Sequence, residues 1–241
     1  MLQSLAIIVT GAREIITTQQ SRCQAALGLP ASTSVLSHLL SKLAQTGVQK
    51  TVILTLHDVG DLGFGLQNGL NGMELCLRAL PAPNAGRLIN AVTVDEISEV
   101  CGDVFVFTEN LNIDFSLIER LVQSSDSNLV VVGKAHSQRS LRLLINKALR
   151  LTAILPQDAV SGKNVSADLS PVGVYKFGPK FLRSIARNRR RRFDDDLEFF
   201  EVALGRQAYE MHVMHGGTTA PHEGNDRKAV PPVGSRDGPS S

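Results

Sequence analysis

The densest cluster of residues that could do chemistry is Arg187, Arg189, Arg190, Arg191 and Arg192. Such a run is either a solvated connection, partly neutralised by the acids after it, or a contact for an anion or a nucleic acid. The acids are Asp194, Asp195 and Asp196. They suit a helix N-cap and first turn, where the dipole favours negative charge, with metal binding as the other use of that residue type. His212 and His215 stand at the end of an apolar stretch and have the right donor atoms for a transition metal, but no third ligand is spaced to join them. The three cysteines, Cys23, Cys76 and Cys101, are odd in number and show no CxxC spacing. They fit buried or half-buried thiols in a reducing compartment, not a disulfide framework or a structural zinc site.

Buried strands and amphipathic helices alternate along the chain, and these elements must position those residues. Leu5 to Val9 is a short apolar run closed by Thr10-Gly11 and reads as the first strand of an α/β sheet. Val35 to Gln45 carries apolar residues at helical spacing and stops at Gly47. Thr51 to Leu56 then completes a strand–helix–strand unit. Met73 to Leu80, before Pro81, reads as helical, and so does Val92 to Val100. Strands are predicted at Asp103 to Phe107, Asn128 to Val132, Val172 to Phe177 and Tyr209 to Met214. Helices are predicted at Phe115 to Val122, from Pro179 to about Arg187, and at Asp194 to Leu204. Leu141 to Leu155 mixes both periods and is assigned to neither. Residues 1–216 are expected to form one domain. Residues 217–241, rich in Gly, Pro, Ser and Thr without hydrophobic periodicity, are expected to be a disordered tail.

Composition narrows the functional classes. With 241 residues and 43% hydrophobic side chains, the chain can build a sizeable core. A net charge of +2 gives no global field for nucleic acid or an anionic membrane. Aromatic residues are 5% with no Trp, which argues against stacking platforms for single strands or carbohydrate. No signal segment is visible and no stretch approaches the roughly 18 apolar residues of a membrane span. The expectation is a soluble, cytoplasmic protein.

Four segments, in order, resemble the nucleotidyltransferase family of GT-A type that couples NTPs to sugar-1-phosphates, phosphocholine or phosphonates. They are Ile7-Ile8-Val9-Thr10-Gly11-Ala12-Arg13; Val35-Leu36 through Gly47-Val48 to Thr51-Val52-Ile53-Leu54; Asp103 to Asn110; and Pro171-Val172-Gly173-Val174-Tyr175-Lys176-Phe177 with Phe181-Leu182 and Asp194 to Leu197. Asn84 to Ile97 is similar to the phosphocholine and phosphonate branch. The similarity spans most of residues 5–215. It implies a three-layer α/β/α sandwich with a mixed, mostly parallel sheet. It also implies attack by an acceptor phosphate oxygen on the NTP α-phosphate, with pyrophosphate leaving and Mg²⁺ bridging the charges. The implied partners are an NTP and a small phosphorylated acceptor, with neither membrane nor nucleic acid. The base, the acceptor and the oligomeric state are not legible.

Transferred position by position, the resemblance assigns nucleotide contacts to Gly11, Ala12 and Arg13, with Arg13 meeting the pyrophosphate. The family's Pro-Lys pair falls on Cys23-Gln24, beside Arg22, so Arg22 and Gln24 join the nucleotide set. Lys163 is the candidate phosphate lysine. Glu109 and Asn110 fall where the family has its metal-binding Asp. Several chemical positions depart from the family pattern. The first loop keeps one glycine and adds Glu14, and the second metal-binding acid is missing after Met214, where His215-Gly216-Gly217 follows. A catalytically inactive relative used for binding or regulation is therefore the alternative. Val9-Thr10-Gly11-Ala12 and Asn84-Ala85-Gly86 are also similar to NAD(P)-dependent short-chain dehydrogenases, a second alternative. The glycines needed after Arg13 and a Tyr-x-x-x-Lys pair are absent, since Pro179 stands four residues after Tyr175. Any ligand is expected at the C-terminal edge of the strands, near Gly11 to Arg13 and Glu109-Asn110.

Overall fold

The computed structural model describes residues 3–10, 35–55, 72–80, 87–108, 113, 115–134, 141–155, 169–186, 195–205 and 210–216. Strand β1 (Leu5–Thr10) is buried at every position, as a central parallel strand covered on both faces must be. Helix α1 (Val35–Gln45) buries Leu36, Leu39, Leu40 and Leu43 and ends in a Schellman arrangement. There the Gly47 and Val48 N–H groups donate to the Ala44 and Leu43 carbonyls, both at 3.1 Å. Strand β2 (Lys50–Thr55) returns parallel to β1, and β3 (Glu74–Ala79) lies parallel outside β2. After helix α2 (Arg87–Val92) and a 3-10 turn (Asp95–Ser98), β4 (Val104–Phe107) pairs parallel with β1 on its other side. Helix α3 (Phe115–Gln123) leads to β5 (Asn128–Lys134). A hairpin of β6 (Arg142–Ile145) and β7 (Leu151–Leu155) precedes β8 (Leu169–Phe177). Helices α4 (Pro179–Ala186) and α5 (Asp196–Gly205) and strand β9 (His212–His215) follow.

The seven-stranded sheet has the order β3-β2-β1-β4-β8-β5-β9. All neighbours are parallel except β8, which runs antiparallel between β4 and β5. One core, under α1 and α3, holds Ala6, Ile8, Phe105 and Phe107. The other, under α2, α4, α5 and the hairpin, holds Ile7, Val9, Val104, Val106, Tyr175 and Phe177. This is the expected three-layer α/β/α sandwich with a mixed, mostly parallel sheet. The antiparallel β8 also separates it from the all-parallel order of a dinucleotide-binding dehydrogenase, so that alternative is excluded.

Two expectations need correction. Met73 to Leu80 is an edge strand and not a helix. A short apolar run satisfies both periods, and the open ladder of β2 decides it: Leu75 and Leu77 pack toward one core while Cys76 packs toward the other. Val92 to Val100 is not one helix either. The helix lies earlier, where Leu88, Ile89, Ala91 and Val92 bury, and only a 3-10 turn occupies Asp95–Ser98. The segment left unassigned, Leu141 to Leu155, is the hairpin, whose Leu143, Leu151 and Ile154 enter the core shared with α5. The expected tail, 217–241, lies outside the described residues.

β8 is where the two cores are tied together. Tyr175 and Phe177 join Phe181, Phe199 and Phe200 in one aromatic cluster, with Phe177–Phe181 centroids 5.3 Å apart. On the opposite face, Lys176 is 2% exposed and pairs with Asp103 at 3.0 Å. Its ammonium also donates to the Ser124 carbonyl at 2.7 Å, just past the C-terminus of α3, where a cation offsets the helix dipole. Gly173 has φ 79°, a left-handed value that a side chain resists. It lies in the irregularity where β8 slips against β5, between the pairs Val130↔Tyr175 and Val132↔Pro171.

Two positions test this backbone. A Cβ on Gly102 would meet the Gln3 carbonyl oxygen at 2.6 Å, so Gly102→Ala is expected to destabilise by about 1–3 kcal/mol. Leu149, at the hairpin tip, is 52% exposed and sits at φ 56°. It is held there by Asn146 Oδ1, which accepts from the Ala148 and Arg150 N–H groups at 2.9 and 3.0 Å. Leu149→Gly is expected to stabilise by up to about 1 kcal/mol. Urea midpoints should move in these opposite directions; an unshifted Gly102→Ala midpoint would mean that the Gln3 backbone yields freely.

Candidate functional site

The candidate site is built at the C-terminal edge of the parallel strands. β1 and β4 are adjacent and in register from Leu5↔Val104 to Ile8↔Phe107, so they end side by side. Thr10 closes β1 and Thr108 follows β4. Thr10 is buried, and among the described residues its Oγ1 has no hydrogen-bond partner. The Thr108 N–H donates to the Gly173 carbonyl at 2.8 Å, which brings β8 to the same edge.

The first turn of α2 lies over this edge. The Leu88 and Ile89 N–H groups donate to the carboxylate of Asp196, at 3.4 and 3.2 Å, so the first residue of α5 caps α2 from far along the chain. Asp195 caps its own helix, its Oδ1 accepting from the Glu198 N–H at 2.8 Å. Two of the three acids expected as caps therefore do that work, at two helices, while Asp194 lies outside the described residues. Arg87, the first residue of α2, sends Nη1 to the Thr108 carbonyl oxygen at 3.0 Å.

The positions that the resemblance assigns to nucleotide, phosphate or metal all lie outside the described residues: Gly11, Ala12, Arg13, Arg22, Gln24, Glu109, Asn110 and Lys163, and likewise the run Arg189 to Arg192. The described strand ends show where their segments attach. Residues 11–34 leave β1 and residues 109–112 leave β4, at neighbouring points of one edge. Residues 156–168 enter β8 at Leu169, which pairs with Lys134 at the C-terminal end of β5. Residues 187–194 enter α5 at the Asp196 cap. Arg87 was missed because it follows a Gly- and Asn-rich stretch with no readable periodicity; its signal is an arginine at the start of a helix that returns from this edge.

Two other polar groupings lie away from that edge. A cleft of about 570 Å³ opens at the opposite, N-terminal edge, between Ser125 to Asn128, Gly178 to Phe181, Glu210 and His212. There His212 lies between Asp126 (3.1 Å) and Glu210 (3.5 Å), and Glu210 also pairs with Arg150 at 2.7 Å. At the outer strands, the buried Glu96 pairs through Oε1 with Arg78, while its Oε2 has no partner among the described residues. A hydrogen bond from the neighbouring Lys50 to Glu74 raises the lysine's pKa. Among the described residues no group of three or more His, Cys, Asp or Glu side chains could hold a metal ion. No helix there is long and apolar enough to cross a membrane.

No family model matches the chain. An uncharacterized protein of Sinorhizobium fredii, y4rO, is 51% identical over 214 residues, which are 89% of this chain and 35% of that protein. The chain thus spans about a third of the length of the curated relative it matches. A Bacillus anthracis protein assigned as a glucose-1-phosphate thymidylyltransferase, crystallised with sucrose, matches with a TM-score of 0.57 at 15% identity, over 88% of this chain and 87% of that one. Inositol-1-phosphate CTP transferase from T. maritima matches with a TM-score of 0.58 at 14% identity, over 89% and 86%. At such identity the likeness is one of fold, and the chain has the nucleotidyltransferase-like fold.

The α2 cap can be tested directly. Asp196→Ala leaves the Leu88 and Ile89 N–H groups without their acceptor and should cost about 0.5–2 kcal/mol, while Asp196→Asn should retain most of the stability. Thermal unfolding reads the difference, and faster amide exchange at Leu88 and Ile89 in the alanine variant locates it.

Proposed function

We propose that this chain is a divergent nucleotidyltransferase domain that moves an NMP group from an NTP to a small phosphorylated acceptor. A phosphate oxygen of the acceptor forms a bond to the α-phosphorus, the bond from that phosphorus to the bridging oxygen breaks, and pyrophosphate leaves with the electron pair. The observation that supports this most is the side-by-side ending of β1 and β4, which sends the Gly11-Ala12-Arg13 and Glu109-Asn110 segments out from neighbouring points of one sheet edge. In this reading Arg13 offsets the growing charge on the pyrophosphate, Gly11 and Ala12 let backbone N–H groups approach it, and Arg22 and Gln24 line the nucleotide. Lys163 steadies the acceptor phosphate.

A Mg²⁺ ion would rest on Glu109 with help from Asn110. Asp196, at this edge, accepts from two backbone N–H groups. The chemistry such an ion supplies is charge neutralisation between the phosphates. A soluble cytoplasmic enzyme fits the reading. The departures at Glu14, Cys23-Gln24 and Asn110 favour, as a second reading, a domain that binds without turnover.

Pyrophosphate release, assayed over CTP, UTP, GTP and ATP with a panel of phosphorylated acceptors, separates the two readings. Arg13→Ala should lower turnover or NTP affinity roughly 10- to 100-fold, the equivalent of losing one charge-assisted contact. Asn110→Asp should keep or raise activity, since it adds a hard anionic ligand, and Glu109→Gln should lower the response to Mg²⁺. Robust release indifferent to Arg13→Ala would refute the assigned site. A folded protein that neither binds nor turns over any nucleotide would refute the transferase reading.

A further inference from the structure

We infer that Arg87 binds a phosphate group at the C-terminal edge of the sheet; this rests on the ligand edge proposed above and adds to it a cation that the sequence reading did not contain. The placement comes from described atoms. α2 packs on β1, and Arg87 Nη1 donates to the carbonyl that follows β4, that of Thr108, at 3.0 Å. The guanidinium is thereby held at the junction of the two strand ends from which residues 11–34 and 109–112 depart. A guanidinium carries five N–H donors in a fixed fork, and the Thr108 contact uses one of its two Nη atoms.

Among the described residues the remaining donors meet no carboxylate. Arg87 is exposed, and among the described residues it forms no ion pair. Arg78 and Arg150, by contrast, are paired with Glu96 and Glu210. The neighbouring acid, Asp196, accepts from the Leu88 and Ile89 N–H groups. A fork anchored at a convergence of strand ends, and without an ion pair among the described residues, matches a tetrahedral oxyanion with several acceptor oxygens, which a phosphate supplies and a single carbonyl does not. The triphosphate tail and the acceptor phosphate share this chemistry, so two probes separate them.

The test titrates the full chain calorimetrically with inorganic pyrophosphate, standing for the tail, and with inorganic phosphate, standing for the acceptor. Wild type is compared with Arg87→Gln, Arg87→Lys and Arg13→Ala. Glutamine can still donate one N–H to the Thr108 carbonyl, so a purely structural arginine would be replaced with little effect on either probe. Loss of the charged fork should instead weaken at least one probe about tenfold or more at an unchanged melting temperature, and the probe affected identifies the phosphate bound. If Arg87→Gln does not fold, Arg87→Lys decides, with a several-fold loss supporting the inference and an unchanged affinity overturning it. Wild-type binding that is insensitive to Arg87 but lost in Arg13→Ala overturns the inference and leaves the proposed site standing. A wild type that binds neither probe overturns both.

Discussion

β8 has to run antiparallel between two strands that both point the other way, and most of the molecule is arranged around that demand. Its ladder to β4 is regular from Val104↔Phe177 to Phe107↔Val174, while its ladder to β5 slips between Val130 and Val132. Gly173, in a left-handed conformation, absorbs the mismatch and still gives its carbonyl to Thr108. Alternate residues of the same strand then serve opposite cores. Tyr175 and Phe177 gather the rings of α4 and α5, while Lys176 reaches through to Asp103 and the end of α3. A buried ammonium is costly alone, so its two oxygen partners are as much a part of the strand's placement as the rings are.

That arrangement explains what the fourth sequence segment is for. Tyr175, Phe177, Phe181 and Leu182 are all buried packing residues, and Asp195 and Asp196 are helix caps. The resemblance through this stretch therefore reports fold and not chemistry. It agrees with the solved structures, whose likeness at 14–15% identity is also one of fold. The positions proposed for chemistry fall outside the described elements, and there the departures from the family pattern collect.

Much of the architecture was legible because burial leaves a period. α1 could be read from Leu36, Leu39, Leu40 and Leu43, and β1 from an unbroken apolar run. β3 was misread because six edge residues, three half-buried and three exposed, carry too little pattern to separate two periods. The hairpin of β6 and β7 was not assigned because it faces the core with few residues and turns through Asn146 and Leu149 without a glycine. Of the site, only the edge was legible. Asp196 caps α2 from 107 and 108 residues along the chain, and the N-terminal cleft joins three stretches of chain, so neither leaves a local signature.

The position of β8 also orders events during synthesis. The unit β3-β2-β1-β4 is complete once residue 107 has emerged, because all of its partners precede that point. β5 is made next, but its partners among the described strands, β8 and β9, both come later. For the length of the intervening hairpin, the nascent chain therefore carries two unpaired apolar edges, Val104–Phe107 and Asn128–Lys134. Both run in the same direction, so they can zip directly to one another into an all-parallel sheet. That trap would have to reopen before β8 could enter, making late strand insertion the step at which this chain is most exposed to misassembly.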